Sequence, residues 1–394
     1  MRNLNLIYFY FLFIVLFTQC QQKRVDKVIV NPTEFSVIKP TEVIFKKASL
    51  KAEPIVSVSN DSIKEIADNN TLISPHSGKK EYDYAYNEMN LMLSGQKPKD
   101  VKRAIFLVEN AYYGGNLDYN RHCLQLDTIK TILRQIVRDK HLEKNPIAYN
   151  YAIFSYMKEQ NIYNKGRTCD YDFDDYLALK DPTKTFVTKL LNTRKGNCHS
   201  LPLLYKILAN EMGADAHIAF APLHVYIKHL DDKKEWVNIE LTSATFPSDG
   251  HIMSESGITL EAAKSGIFMH ALDELQTIAY CMAYLGETYF KQYGAKDFVL
   301  KTSNKALEYY PNLLAALLLK VQVYGIWHNQ VNEGLLLKGK SKSQIEHLKE
   351  LRSKLTALTN KLSKLGYKSV SQKEYARWQN QSEKQKNKVL QARR

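Results

Sequence analysis

The chain has 394 residues, and 55 lysines and arginines against 41 acidic residues leave a formal net charge of +14. Its five cysteines include no Cys-x-x-Cys and no His/Cys cluster at metal-ligand spacing. There is also no phosphate-cradling glycine loop and no dinucleotide fingerprint, so no metal or cofactor is expected. The positive balance comes without a nucleic-acid recognition motif, which points to a solvated basic face or an anionic envelope surface and away from specific nucleic-acid binding.

Arg2 precedes an apolar stretch over residues 6–17 that ends at Thr18-Gln19-Cys20. The stretch is short for a transmembrane helix and fits the hydrophobic region of a signal peptide. With polar Gln21-Gln22-Lys23 following, the segment resembles a bacterial lipoprotein cleavage site, although Gln19 replaces the usual small residue. That resemblance implies a signal peptide over 1–20, Cys20 as the lipidated amino terminus, and a membrane-anchored lipoprotein in the cell envelope facing the periplasm. An ordinary secretory signal or a short anchor is the alternative. Residues 21–80 are rich in Lys, Ser, Asn and Pro without a sustained apolar period, and read as a flexible tether. In an oxidising compartment two cysteines can pair, and Cys123 with Cys169 is the economical choice because it spares Cys198.

Ordered structure is expected from Tyr82, with helical patterns over 82–91, 101–113, 124–137 and 148–157. This helical prelude should pack on the segment that follows, with Tyr112 and Tyr113 either lining a cleft or filling the core.

Cys198 stands in Arg194-Lys195-Gly196-Asn197-Cys198-His199-Ser200-Leu201-Pro202. Leu201, Leu204, Tyr205, Leu208 and Met212 then recur at helical spacing until Gly213, a natural helix stop. Pro202 is tolerated only in a first turn, so the helix should begin near His199 or Ser200 with Cys198 at its mouth. Gly196 should give a tight turn into it. A helix amino end, nearby cations and an imidazole partner all favour thiolate, and this stretch offers candidates for all three. His199 should point away from the thiol, as a surface or supporting residue. Beyond Gly213 the period becomes that of strands: His224, Tyr226 and Lys228 share one face, and Trp236, Asn238, Glu240 and Thr242 share another. His217 and His229 read as ordinary strand residues. For His224 to lie opposite Glu240 the intervening turn must hold an odd number of residues, a condition on register that the sequence leaves open.

Arg-x-Gly-x-Cys, the Leu-rich helix ending in Met212-Gly213, Pro-x-His and Trp-x-Asn-x-Glu-x-Thr together resemble the core of the transglutaminase-like superfamily, in particular its bacterial SirB-type branch. The resemblance covers residues 186–242. It implies an α+β fold, a transglutaminase-like (papain-like) cysteine core with an antiparallel sheet, with Cys198 as nucleophile, His224 as general base and Glu240 orienting the imidazole. Glu stands where Asp is commoner, and Asn238 on the same face is the reserve for that role.

After Gly257 the pattern is helical again. Leu285-Gly286-x-x-Tyr289, Ala306 and Pro311 resemble a tetratricopeptide unit with one extra residue, and 313–324 could open a second; a plain helical hairpin is the other reading. Residues 338–394 are Lys-, Ser- and Gln-rich, with Ile345, Leu348, Leu351, Leu355, Leu358 and Leu362 marking a long solvent-facing helix and a fraying end. The expected organisation is therefore 1–20 signal peptide, 21–80 tether, 81–256 helical prelude and cysteine core, 257–337 repeat-like helices flanking it, and 338–394 basic helical tail. Two functions follow. One is an envelope cysteine amidohydrolase or acyltransferase acting on peptide amides of a peptide or protein substrate. The other is a non-catalytic scaffold that binds a peptide or envelope partner.

Overall fold

The computed structural model describes residues 79–370 except 177 and 339–340, together with positions 380, 383, 384, 386 and 387. Cys20 and residues 1–78, on which the expected signal peptide and most of the expected tether fall, lie outside the described residues. The prelude is α1 (Lys79–Leu93), α2 (Val101–Tyr112), α3 (Tyr119–Asp139) and α4 (Ala148–Lys158). The middle of the chain holds β1 (Asp170–Tyr171), a 3-10 turn (Pro182–Thr185), α5 (Val187–Thr193), β2 (Lys195–Gly196), α6 (Ser200–Met212), β3 (His217–Ala221), β4 (His224–Leu230) and β5 (Trp236–Ile239). Helices α7 (Asp249–Ser256), α8 (Leu260–Lys264), α9 (Glu274–Tyr293), α10 (Asp297–Tyr309), α11 (Leu314–Lys338) and α12 (Lys342–Lys364) follow. The fold is α+β and mostly helical, with small sheets.

Helix α6 is the hub. Every residue from Ser200 to Ala209 is buried, because α3, α4, α5 and the β3–β4 hairpin surround it. Its few polar groups are tied down accordingly. Tyr205 Oη donates to the Asn150 carbonyl (3.0 Å), Asn150 Nδ2 donates to the Asp215 carbonyl (2.9 Å), and the buried Lys206 Nζ donates to the Ala216 carbonyl (2.6 Å). Gly213, at φ 69, ends the helix in the left-handed region. Helix α5, which leads into the site, is capped from outside its own segment. The buried Glu109 of α2 accepts from the Val187 and Thr188 backbone N–H groups (2.6 and 2.9 Å). Tyr112 and Tyr113 pack edge-on against Phe186 beside this cap, so both serve the core.

Strands β3, β4 and β5 form an antiparallel sheet in that order. Ala221 pairs with His224 across a turn of Pro222 and Leu223, and Leu223 sits at φ 60, a strained conformation for a bulky side chain. Leu230 pairs with Trp236, which leaves an odd connection, residues 231–235. The parity keeps His224 and Glu240 on one face. They are not directly opposite, however: Ile227 pairs with Ile239, so the same register carried one step on sets Glu240 against Tyr226 and diagonal to His224.

Backbone N–H groups of Met269 and Leu272 donate to Phe220 and Ile218 (2.8 and 2.9 Å), covering the free edge of β3. The chain then enters α9 through a capping box of Asp273 and Gln276. Helix α9 packs on α1, α2, α10 and α11, so one hydrophobic core runs from Tyr82 to Val323 across the segments on both sides of residue 257. The tail is less solvated than its composition suggests, because α12 lies along α11 and buries Leu351 and Leu362.

At the α9–α10 crossing a Cβ on Gly286 would lie 2.2 Å from Thr302 Oγ1. The helices approach this closely only because position 286 carries no side chain. Gly286→Ala should therefore lower stability by about 1–3 kcal/mol through overpacking, against the ~1 kcal/mol that alanine normally gains in a helix. A denaturant titration in which the variant matches or exceeds the wild type would contradict this.

Candidate active site

The site is assembled where β2 meets α6. Asp170 and Tyr171 pair in parallel with Lys195 and Gly196, and the Asp172 N–H donates to the Gly196 carbonyl (2.8 Å), which fixes the strand entering the helix. The tight turn falls at Arg194 (φ 57) and not at Gly196. Gly196 is needed for space instead: an added Cβ would lie 2.7 Å from Ser200 Oγ. Asn197 Oδ1 then accepts from the His199 and Ser200 N–H groups (3.0 and 3.1 Å), and the Leu201 N–H donates to the Asn197 carbonyl (3.1 Å). Asn197 thus caps the helix and holds Cys198 in its first turn, where the dipole is positive.

His224, the first residue of β4, hydrogen-bonds through Nε2 to Glu240 Oε2, and the Cys198 side chain stands close enough to act electrostatically on its ring. The His224 and Glu240 side chains are only 9% and 8% exposed, so their interaction is weakly screened by water. Burial by itself lowers the pKa of His224, but the Glu240 carboxylate, the bond to it and the nearby Cys198 side chain outweigh it and raise it to about 10. Burial pushes Glu240 the other way from its partners. The His224 charge and the Thr242 N–H and hydroxyl, which donate to Glu240 Oε1 (2.8 and 2.6 Å), prevail and lower its pKa. The extra methylene of Glu has a geometric use here, since a diagonal pair is wider than a direct one. Glu240 is held in turn by a bridge to Thr245: its N–H donates to the Thr245 carbonyl at 2.8 Å, and the Thr245 N–H donates back at 3.1 Å.

Other candidates fall elsewhere. Asn238 Nδ2 donates to the Pro247 carbonyl (3.0 Å) and to Asp249 Oδ1 (2.7 Å), so it positions the loop after β5 and does not serve His224. Arg194 directs its guanidinium to Tyr156 Oη and Cys169 Sγ, and Lys195 is exposed, so the cations adjoining the motif do not serve the thiol. Cys123 and Cys169 are free thiols, the second buried beside Arg194, and the expected disulfide is absent. His199 is half-buried and turned inward. Its Nδ1 donates to the Thr185 carbonyl (3.0 Å) and its ring lies 4.4 Å from that of Tyr284. Burial, opposed by that hydrogen bond, lowers its pKa to about 4 and leaves it neutral. His217 and His229 bond to Leu272 and Leu230 carbonyls, away from the thiol.

A cleft opens from Cys198 and His224, lined on the sheet side by Phe220, Leu223 and Val225 and across from them by Tyr280, Tyr284 and Leu318. Sequence reasoning missed this far wall, because nothing local marks α9 and α11 as neighbours of Cys198. The Asn197 cap and the Thr242 clamp were legible in principle, as polar residues at the short offsets that side chain-to-backbone bonds require. Among the described residues no group of three or more His, Cys, Asp or Glu side chains is placed to hold a metal ion. Comparisons of the chain with known protein families, with curated proteins and with solved structures find no match.

The shifted pair has a signed consequence. A raised His224 pKa means that the folded state holds this proton more tightly, so its stabilisation is complete below ~6.5 and is lost as pH rises through about 10. The Glu240 contribution is present above ~4.3 and is lost as pH falls. Denaturation midpoints should decline between pH 7 and 10, and His224→Gln should lack that part of the decline. Glu240→Asp should cost about 1–3 kcal/mol near neutral pH by breaking the diagonal contact. Equal pH slopes in wild type and His224→Gln would show that His224 carries no such shift.

Proposed function

We propose that the chain is a transglutaminase-like cysteine amidohydrolase or acyltransferase acting on peptide amide bonds, anchored in the cell envelope through Cys20. The observation that carries this reading is the contiguous series Cys198–His224–Glu240 at a helix amino end, opening on a cleft. In such a centre the thiolate is the attacking species, and an imidazole beside the thiol is the group that exchanges its proton.

The thiolate of Cys198 adds to the amide carbonyl, forming the S–C bond. The oxygen takes the negative charge next to the backbone N–H of Cys198 at the helix mouth. As the C–N bond breaks, His224 gives its proton to the leaving amine, and a thioester remains. His224 then takes a proton from water or from a second amine, whose attack releases the acyl group and restores the thiol. Glu240 keeps the imidazole oriented and stabilises its charge throughout. The stacked hairpins α9–α10 and α11–α12, with the Gly286 crossing, support a tetratricopeptide-like reading of the C-terminal region. They also favour the second reading, in which the same fold is a non-catalytic scaffold for a peptide or envelope partner.

Iodoacetamide separates the two. At pH 6 an unassisted thiol of pKa ~8.5 is almost wholly protonated, so Cys198 should alkylate at least ~10-fold faster than glutathione there. His224→Ala should lower the rate by ~100-fold. A Cys198 rate no greater than that of glutathione would sink the enzyme reading and leave the scaffold. The anchor is tested separately: Cys20→Ser should abolish membrane retention of the processed protein, since each buried acyl methylene contributes ~0.8 kcal/mol. Normal cleavage and retention of that variant would overturn it.

A further inference from the structure

We infer that the cleft beyond Cys198 is a binding subsite for a large apolar or aromatic group adjoining the scissile amide, and that residues after α12 form its closing wall. The inference rests on the nucleophile reading above and adds the substrate class.

Four segments far apart in sequence meet there. The β3–β4 hairpin contributes Phe220 and Leu223, helices α9 and α11 contribute Tyr280 and Leu318, and the segment after α12 contributes Tyr367 and Val370. The last is held in register by close packing. Gly366 lies at φ 77, and a Cβ there would stand 2.6 Å from the Ala262 backbone nitrogen, so α12 ends directly against α8. The Leu365 carbonyl accepts from Ser265 Oγ (2.8 Å). Tyr367 packs with Phe220 around the apolar cluster under the sheet that includes Tyr226 and Phe268. The wall facing Cys198 is thus built and anchored.

The polar groups of the cleft argue for an uncharged occupant. Glu287 and Lys291 sit one helical turn apart at the rim and pair with each other at 2.8 Å, which cancels their charges. His199, next to the thiol, is neutral and bonded to the Thr185 carbonyl. Lys368 also lines the cleft, but a lysine keeps its ammonium toward water while its stem covers apolar surface. Thr185 and Asn197 line it too, but Thr185 Oγ1 is hydrogen-bonded to Tyr284 Oη (2.8 Å) and Asn197 Oδ1 accepts from the His199 and Ser200 N–H groups. The rest of the lining is largely aromatic and aliphatic, suited to a side chain such as that of Phe, Leu or Trp.

The test needs no native substrate. Cys198 in the full-length protein is alkylated with iodoacetamide and with N-benzyl-iodoacetamide, each rate divided by that for glutathione. In both reactions the thiolate displaces iodide as the S–C bond forms. The benzyl reagent should be favoured by at least ~10-fold after this normalisation. Leu318→Asp and Val370→Asp, in different segments of the lining, should each remove most of that preference, and the second keeps the experiment decisive if the first disturbs folding. Equal normalised rates for the two reagents in wild type would overturn the subsite while leaving the nucleophile intact. A preference that persists in Val370→Asp would remove the C-terminal segment from it. Slow reaction with both reagents would overturn the nucleophile reading, and the subsite with it.

Discussion

Helix α6 has no solvent face over Ser200–Ala209, and the rest of the arrangement follows from that constraint. A helix buried all round must be enclosed on every side, which here takes the prelude helices, α5 and the sheet together. Because its flanks are occupied, its termini are where it meets other chemistry. The carboxyl end turns through Gly213 into β3. The amino end, capped by Asn197, is left at the junction of β2, the β3–β4 hairpin and α9, and Cys198 sits there. Its surroundings hold it firmly. Asn197 caps the helix, Gly196 packs on Ser200, and Glu109 caps the preceding helix from below.

That last contact shows how much polar chemistry this interior contains. Burial raises the Glu109 pKa to about 7, against the opposing pull of its bonds to the α5 amino end. Glu240 is buried as deeply yet has its pKa lowered, because an imidazolium and Thr242 face it. The difference lies in the partner: a helix end offers partial charge, whereas His224 offers a full one. Two carboxylates in one core are thus set to different proton affinities by what stands opposite them. The Glu240–His224 pair is retained at a desolvation cost that an apolar pair would not carry, which fits a role beyond stability.

The C-terminal helices belong to the same body. Helix α9 touches both the prelude and the site, and the end of α12 returns the chain to α8 through Gly366 and to the cluster under the sheet through Tyr367. A cleft shaped by segments from Tyr176 to Val370 draws its geometry from much of the described chain, and the α9–α10 crossing at Gly286 lies between the lining residues Tyr284 and Glu287.

Much of the local structure was legible in the sequence because its causes are local. The start and stop of α6 followed from Pro202 and Gly213, and the strand alternation after Gly213 put His224 with Tyr226 and Glu240 with Asn238. What could not be read was any feature that depends on which elements touch. Gly196 proved to be a packing requirement, Arg194 turned to Tyr156 and Cys169, Asn238 turned to Asp249, and Cys123 and Cys169 stayed apart. The far wall of the cleft depends on α9 and α11, whose Tyr280 and Leu318 lie 82 and 120 residues downstream of Cys198. Sequence alone determined the periodicities, the helix ends and the order Cys–His–Glu, because these rest on backbone sterics and on the spacing of side chains along one segment. The tertiary structure alone decided the diagonal register of His224 and Glu240, the neutrality of His199 and the shape of the cleft, because each is set by atoms that sequence distance keeps apart and packing brings together.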